Sequence, residues 1–165
     1  MTIYIFAYGS LINIKYIKEL NKSSDRIIKP IIINNLQRHW ILCKNNKIYL
    51  GIRYKNAYKT NGIIFNVSED ELQRLDNRET YYTRIKINKD LLDFKYTNIS
   101  LNDDLKEDDI IYTYFPNPKV STLSLYDKYN EHCSKYLIKC LSGCLKFGRI
   151  FFVDFLKMTY GWNNF

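Results

Sequence analysis

Thr2-Ile3-Tyr4-Ile5-Phe6-Ala7-Tyr8-Gly9-Ser10-Leu11 opens the chain, and its reading sets the rest. Residues 2–8 are apolar, aromatic and β-branched, too few for a helix and rich in strand formers, so a strand is predicted to end at Gly9. Asn13 to Leu20 follows with Ile14, Ile17 and Leu20 at helical spacing. A strand that enters a glycine turn and then a helix directs several backbone N–H groups at one spot, where the helix dipole adds positive potential. Such a junction suits a carboxylate or a phosphate. Tyr8-Gly9-Ser10-Leu11 also fits an ordinary strand-to-helix turn.

Outward from that junction the first half reads as strands. Arg26 to Asn34 is isoleucine-rich, with Pro30 arguing for an edge or a bulge. Gln37 to Cys43, Lys47 to Tyr54 and Asn61 to Val67 continue the pattern around turns such as Lys44-Asn45-Asn46. Later strands are predicted at Tyr81 to Ile87, Phe94 to Ile99 and Ile110 to Phe115. Ser68 to Asp76 carries a helix start, with Ser68 as N-cap, Glu71 completing a capping box, and Val67 and Leu72 placed as a hydrophobic staple. Residues from about Ser121 to Tyr160 read as mostly helical, with Gly143 and Gly148 marking a break. The fold class is α+β, with a mixed or antiparallel sheet curled into a partial barrel, a short capped helix and C-terminal helices. No repeat or linker divides residues 1–165, so one domain is expected.

The chain has 165 residues, of which 46% are hydrophobic and 16% aromatic, enough core-forming material to exclude intrinsic disorder. No apolar run reaches membrane-spanning length and the N-terminus lacks a basic leader, so a soluble, cytoplasmic protein is expected. The net charge of +8 invites a nucleic-acid reading. The basic residues are scattered along the sequence, however, and Asp103 to Asp109 interrupts any basic stripe, so no specific nucleic acid is expected. Cys133, Cys140 and Cys144 fall at spacings of seven and four and share a helical face with Leu137, where thiols act as small buried hydrophobes. A metal site with His132 would need tighter ligand spacing, and Cys43 stands apart from these three.

The second informative stretch is Leu75-Asp76-Asn77-Arg78-Glu79-Thr80-Tyr81-Tyr82-Thr83-Arg84. The capped helix stops here, a strand begins, and Glu79 sits at the join. A carboxylate at a helix C-terminus faces the negative end of the dipole, and apolar surroundings would raise its pKa toward the range a general base needs. The bland alternative is a solvated glutamate paired with Arg78 or Arg84.

Together, the two stretches resemble the gamma-glutamylcyclotransferase-like superfamily. The resemblance runs through Tyr8-Gly9-Ser10-Leu11, Leu36-Gln37-Arg38-His39-Trp40, Tyr49-Leu50-Gly51-Ile52-Arg53, the glycine-centred Asn61 to Val67, Leu75-Asp76 with Glu79, Tyr82 and Arg84, and Ile111-Tyr112-Thr113-Tyr114. Gly143 to Trp162 is similar to the C-terminal helices of one bacterial branch. Two departures stand out. Thr80 replaces the glycine that many relatives carry after the glutamate, and of a Ser-Tyr-x-Asp pattern in the tail only Tyr136 is kept.

The resemblance implies an enzyme that releases 5-oxoproline and a free amine from a small-molecule γ-glutamyl amide, without metal or other cofactor. Glu79 is the implied catalytic residue. Tyr8, Gly9, Ser10 and Leu11 are the implied substrate loop, with Arg84 and Tyr112 as further pocket residues. The rival readings are a catalytically silent binding module on the same fold, a basic nucleic-acid-associated protein, and a hydrolase using Ser10, for which His39 and His132 offer no triad context.

Overall fold

The computed structural model describes residues 1–20, 26–43, 47–96, 105–118, 121–123 and 131–162. Lys44-Asn45-Asn46, the end of the Phe94 to Ile99 stretch, Asp103-Asp104 and residues 124–130 lie outside them.

Chain order is β1 (Ile3–Ala7), a 3-10 turn at Ser10–Ile12, α1 (Ile14–Leu20), β2 (Ile28–Leu42), β3 (Ile48–Val67), α2 (Glu69–Arg78), β4 (Tyr82–Lys86), β5 (Leu92–Asp93), β6 (Ile110–Pro116), β7 (Ser121–Leu123), α3 (Glu131–Leu145), α4 (Arg149–Lys157) and β8 (Thr159–Tyr160). The strands form one sheet in the order β4-β6-β1-β3-β2-β5, with β7 and β8 also pairing with β2. β1 runs parallel to β6 and β8 parallel to β2, while the other pairs are antiparallel. This is the mixed α+β sheet that the sequence predicts.

Four short predicted strands merge into two long ones. Arg26 to Asn34 and Gln37 to Cys43 become β2, and Lys47 to Tyr54 and Asn61 to Val67 become β3. The break between them is a bulge. Asn34 pairs with Lys59 and Leu36 with Tyr54, so Asn35 alone opposes residues 55–58. Asn35 and Ala57 take φ of 58° and 65°, which lets the strands bend without separating. Beyond the bend β3 curls back over the sheet. Tyr54 stacks 5.0 Å from Phe115, and a Cβ on Gly51 would lie 2.4 Å from the ring of Pro116, so only glycine permits this approach. Pro30 pairs with Ile63, and the second neighbour of β2 begins only at Ile32, leaving one flank open at the proline.

The capping box forms as read. Ser68 Oγ accepts from the Glu71 N–H, and Glu71 Oε2 accepts from the Ser68 N–H at 2.8 Å. Val67, Leu72 and Leu75 are buried beside it. Two expectations need correction. Phe94 to Tyr96 is not strand, since the short β5 precedes it at Leu92–Asp93. The C-terminal third is also less helical than expected, because Ser121–Leu123 and Thr159–Tyr160 join the sheet. Gly143 is not the helix break. It lies inside α3, where a Cβ would meet the Asn13 nitrogen at 2.5 Å, and the break falls at Gly148 with φ of 94°.

The cysteine stripe packs inward: Cys133, Cys140 and Cys144 are fully buried on α3, all free thiols. Burial pushes Cys133 up to about 11 and Cys144 to about 12, so both stay protonated and act as core.

Candidate active site

The loop after β1 reaches the sheet's end as the sequence suggests. Ile12 N–H bonds to Gly9 O at 3.0 Å and Asn13 N–H to Ser10 O at 3.1 Å. The N–H groups of Gly9, Ser10 and Leu11 precede these bonds and find no acceptor among the described residues. Three distant elements fix the loop. From β2, Arg38 Nη1 donates to Tyr8 O at 3.3 Å. The Tyr8 hydroxyl donates to Tyr114 O on β6. On α3, Tyr136 sets its hydroxyl against Gly9, so close that a Cβ there would lie 2.6 Å from Oη.

Glu79 is the C-cap of α2, its N–H bonded to Leu75 O at 2.9 Å. Its side chain is only 18% exposed, with the Arg78 Nε 3.6 Å from its carboxylate. Burial holds the Glu79 pKa above its ordinary value, and Arg78 opposes that shift. Tyr8, Tyr82 and Tyr136 are raised well above their usual range, first by burial, with the nearby Glu79 charge adding to it. The carboxylate therefore stands among phenols that keep their protons.

Two connected spaces meet at this residue. An inner recess of about 40 Å³ is lined by Tyr8, Gly9, Ser10, Leu11, Glu79 and Tyr136, among others. An outer cleft of about 780 Å³ shares Ser10, Glu79, Tyr82 and Tyr136 with it. The structure thus brings together Glu79 and all four residues of the Tyr8 to Leu11 loop, although they lie far apart in sequence. Thr80, in place of glycine, adopts no positive φ, so the turn tolerates its side chain.

Arg84 and Tyr112 fall elsewhere. Arg84 pairs with Asp76 at 2.7 Å and lies over the Tyr112 ring at 4.9 Å, and neither residue lines the recess or the cleft. Arg84 shares a strand face with Tyr82, but two residues further along β4 that face has moved past the opening toward Asp76. Tyr82 stays at the site, its hydroxyl donating to Leu50 O at 2.8 Å.

Tyr82 and Tyr136 line both spaces and are absent from the sequence-derived set, Tyr136 being the one that touches the loop. The Tyr136 hydroxyl accepts from the Leu50 N–H at 3.4 Å, and its ring meets Tyr49 edge-on at 5.2 Å. Two signals marked Tyr136: its place on the buried cysteine face of α3, and its survival from the tail pattern. Among the described residues no three His, Cys, Asp or Glu side chains gather as metal ligands, and no helix is long and apolar enough to cross a membrane.

Solved structures share this architecture. One named gamma-glutamyl cyclotransferase superposes with a TM-score of 0.69 at 10% identity, over 96% of this chain and 88% of that one. An uncharacterised Homo sapiens protein gives 0.69 at 11%, covering 95% and 88%. YkqA from Bacillus subtilis gives 0.66 at 15%, covering 94% of this chain and 53% of its own. At such identities the likeness is one of fold. No curated protein matches in sequence. Residues 5–133 match the family described as gamma-glutamyl cyclotransferase, AIG2-like, and the chain belongs to that family.

Proposed function

We propose that the protein cleaves γ-glutamyl amides by internal cyclisation, releasing 5-oxoproline and a free amine. The substrate's α-amine attacks its own γ-carbonyl carbon. A C–N bond forms in the ring, the amide C–N bond breaks, and the two protons lost by the α-ammonium end on the departing nitrogen, which leaves as an ammonium. The attack joins tethered partners, so holding the substrate folded removes most of the barrier. What remains is proton transfer, and one carboxylate within reach of both nitrogens serves as base and then acid.

The observation that carries this reading is the buried Glu79, its pKa raised, lining one recess together with loop amides that have no acceptor among the described residues. Gly9, Ser10 and Leu11 N–H groups then hold the substrate carboxylate or the oxyanion that develops at the γ-carbonyl. About 40 Å³ suits a group of about three water-sized atoms, such as a carboxylate. Tyr8 and Tyr136 form the walls, and the leaving half extends into the cleft.

The test is 5-oxoproline release from a panel of γ-glutamyl compounds, by the wild-type chain and by Glu79→Gln. Loss of a general acid–base group lowers turnover by about 10²–10⁴-fold. A glutamine variant that turns over normally would refute the proton-shuttle role.

A further inference from the structure

The sequence disperses its lysines, but the fold gathers some of them. Among the described residues the outer cleft is walled by Lys47, Arg78, Lys135 and Lys139, against one acid, Glu79. Two of these cations are already matched: Arg78 with Glu79, and Lys135 with Glu131 at 2.7 Å. Lys47 and Lys139 have no carboxylate partner among the described residues. Lys139 instead lies over the Tyr16 ring at 5.4 Å. His132 lines the same cleft, edge-on to Tyr49 at 5.1 Å, with a buried Nε2 that has no hydrogen-bond partner among the described residues. Burial and the charges of Lys47, Lys139 and Lys135 lower its pKa. A neutral imidazole adds no charge to that of the lysines around it.

Resting on the reaction proposed above, we propose that this cleft selects γ-glutamyl amides whose leaving half carries two carboxylates. Glu79 lines both spaces, so an amide bond at Glu79 places the glutamyl part toward the recess and the leaving amine in the cleft. There Lys47 and Lys139 supply one uncompensated positive charge for each carboxylate, and neutral His132 leaves that balance unchanged. A leaving half that is itself cationic meets like charge and is disfavoured. The cleft volume lies within the range of small-molecule sites, so the selectivity acts on a compact dianion.

The experiment compares kcat/KM for 5-oxoproline release from γ-glutamylglutamate and from γ-glutamylglutamine, a nearly isosteric pair differing by one carboxylate. Contacts of this exposed kind give up to about five-fold per charge, so a preference of about that size for the dicarboxylate is expected. It should shrink as salt is added. In Lys47→Gln/Lys139→Gln the preference should fall toward one, and as surface changes these leave the fold intact. A wild-type ratio of one or below, with 5-oxoproline still released, overturns the selectivity and leaves the reaction standing. If no compound yields 5-oxoproline, the reaction reading fails. Calorimetric titration of the same two dipeptides into the wild-type chain then decides the cleft alone: tighter binding of γ-glutamylglutamate supports it, and equal affinity or no binding refutes it.

Discussion

Replacing Gly9 by alanine would place a methyl carbon 2.6 Å from the Tyr136 Oη, while the next atoms, Tyr136 Cζ and Leu50 Cβ, sit at comfortable distances of 3.8 and 3.9 Å. The whole conflict is with one hydroxyl oxygen. Tyr136 cannot withdraw easily. Its ring packs edge-on against Tyr49 at 5.2 Å and Trp40 at 6.5 Å, and α3 is pinned where Gly143 touches the backbone of Asn13. Overpacking of this kind costs about 1–3 kcal/mol. For a chain of this size each kcal/mol lowers Tm by about 2–4 °C. Tyr136→Phe removes the same oxygen and leaves the Leu50 N–H without its long 3.4 Å acceptor, a loss of about 1 kcal/mol. In the double variant the methyl has nothing left to strike. Thermal and urea unfolding of the four proteins should therefore show the double variant more stable than additivity allows, by about 1–3 kcal/mol. Strict additivity would mean that the hydroxyl does not abut the loop, and the account of how the loop is held would be wrong.

Three other outcomes follow from the same geometry. Burial raises the Glu79 pKa above 4.5, so the protonated form is favoured in the folded state; its stabilising contribution is complete below 4.5 and is lost as pH rises through the folded value. Glu79→Gln should then melt higher than wild type at pH 7 and lose that advantage near pH 4, while the acid limb of wild-type kcat/KM lies above the ordinary carboxylate range; equal melting at both pH values would contradict the raised pKa. Arg38→Lys breaks a fork that bonds Thr159 Oγ1, Asn61 O, Asn61 Oδ1 and Phe155 O at 2.7–2.9 Å, and should cost at least about 2 kcal/mol in urea unfolding because one ammonium cannot reach the same acceptors. Duplex and single-stranded oligonucleotides at physiological ionic strength should bind weakly or not at all; tight binding unaffected by Glu79→Gln would promote the nucleic-acid reading.

Local chemistry was the legible part of this chain. The α2 cap, the strand before Gly9 and the apolar cysteine face each depend on residues within a few positions of one another, and each appears where the sequence places it. The long strands were not legible as such. Asn35 and the residues 55–58 look like turns, and only the pairing of flanking residues across the sheet turns them into a bulge within β2 and β3. Arg84 misled for a related reason. Alternation gives a strand face correctly, yet not how far along that face an opening extends. Lys47, Lys135 and Lys139 looked scattered because their convergence depends on β3 curling until its start meets α3, a contact spanning most of the chain.

The two halves of the site are held by different means, and that division bears on how the chemistry is built. Glu79 depends on local structure: its position is the end of a well-capped helix, set by Ser68 and Glu71 eleven and eight residues before it. The loop depends on the whole sheet, since Arg38, Tyr114 and Tyr136 reach it from β2, β6 and α3. A buried guanidinium with only carbonyl, amide and hydroxyl acceptors is costly to place. Arg38 is fully buried and has no carboxylate partner among the described residues, so its position depends on the order of the groups around it. That order is what the proposed cyclisation would need most. Amides aimed at a developing charge help only if they do not reorient during the reaction, whereas a carboxylate that first takes a proton and then returns it benefits from some freedom between two nitrogens. Under the proposed reaction, rigid support for the loop amides and a helix-end position for Glu79 would divide the work along that line.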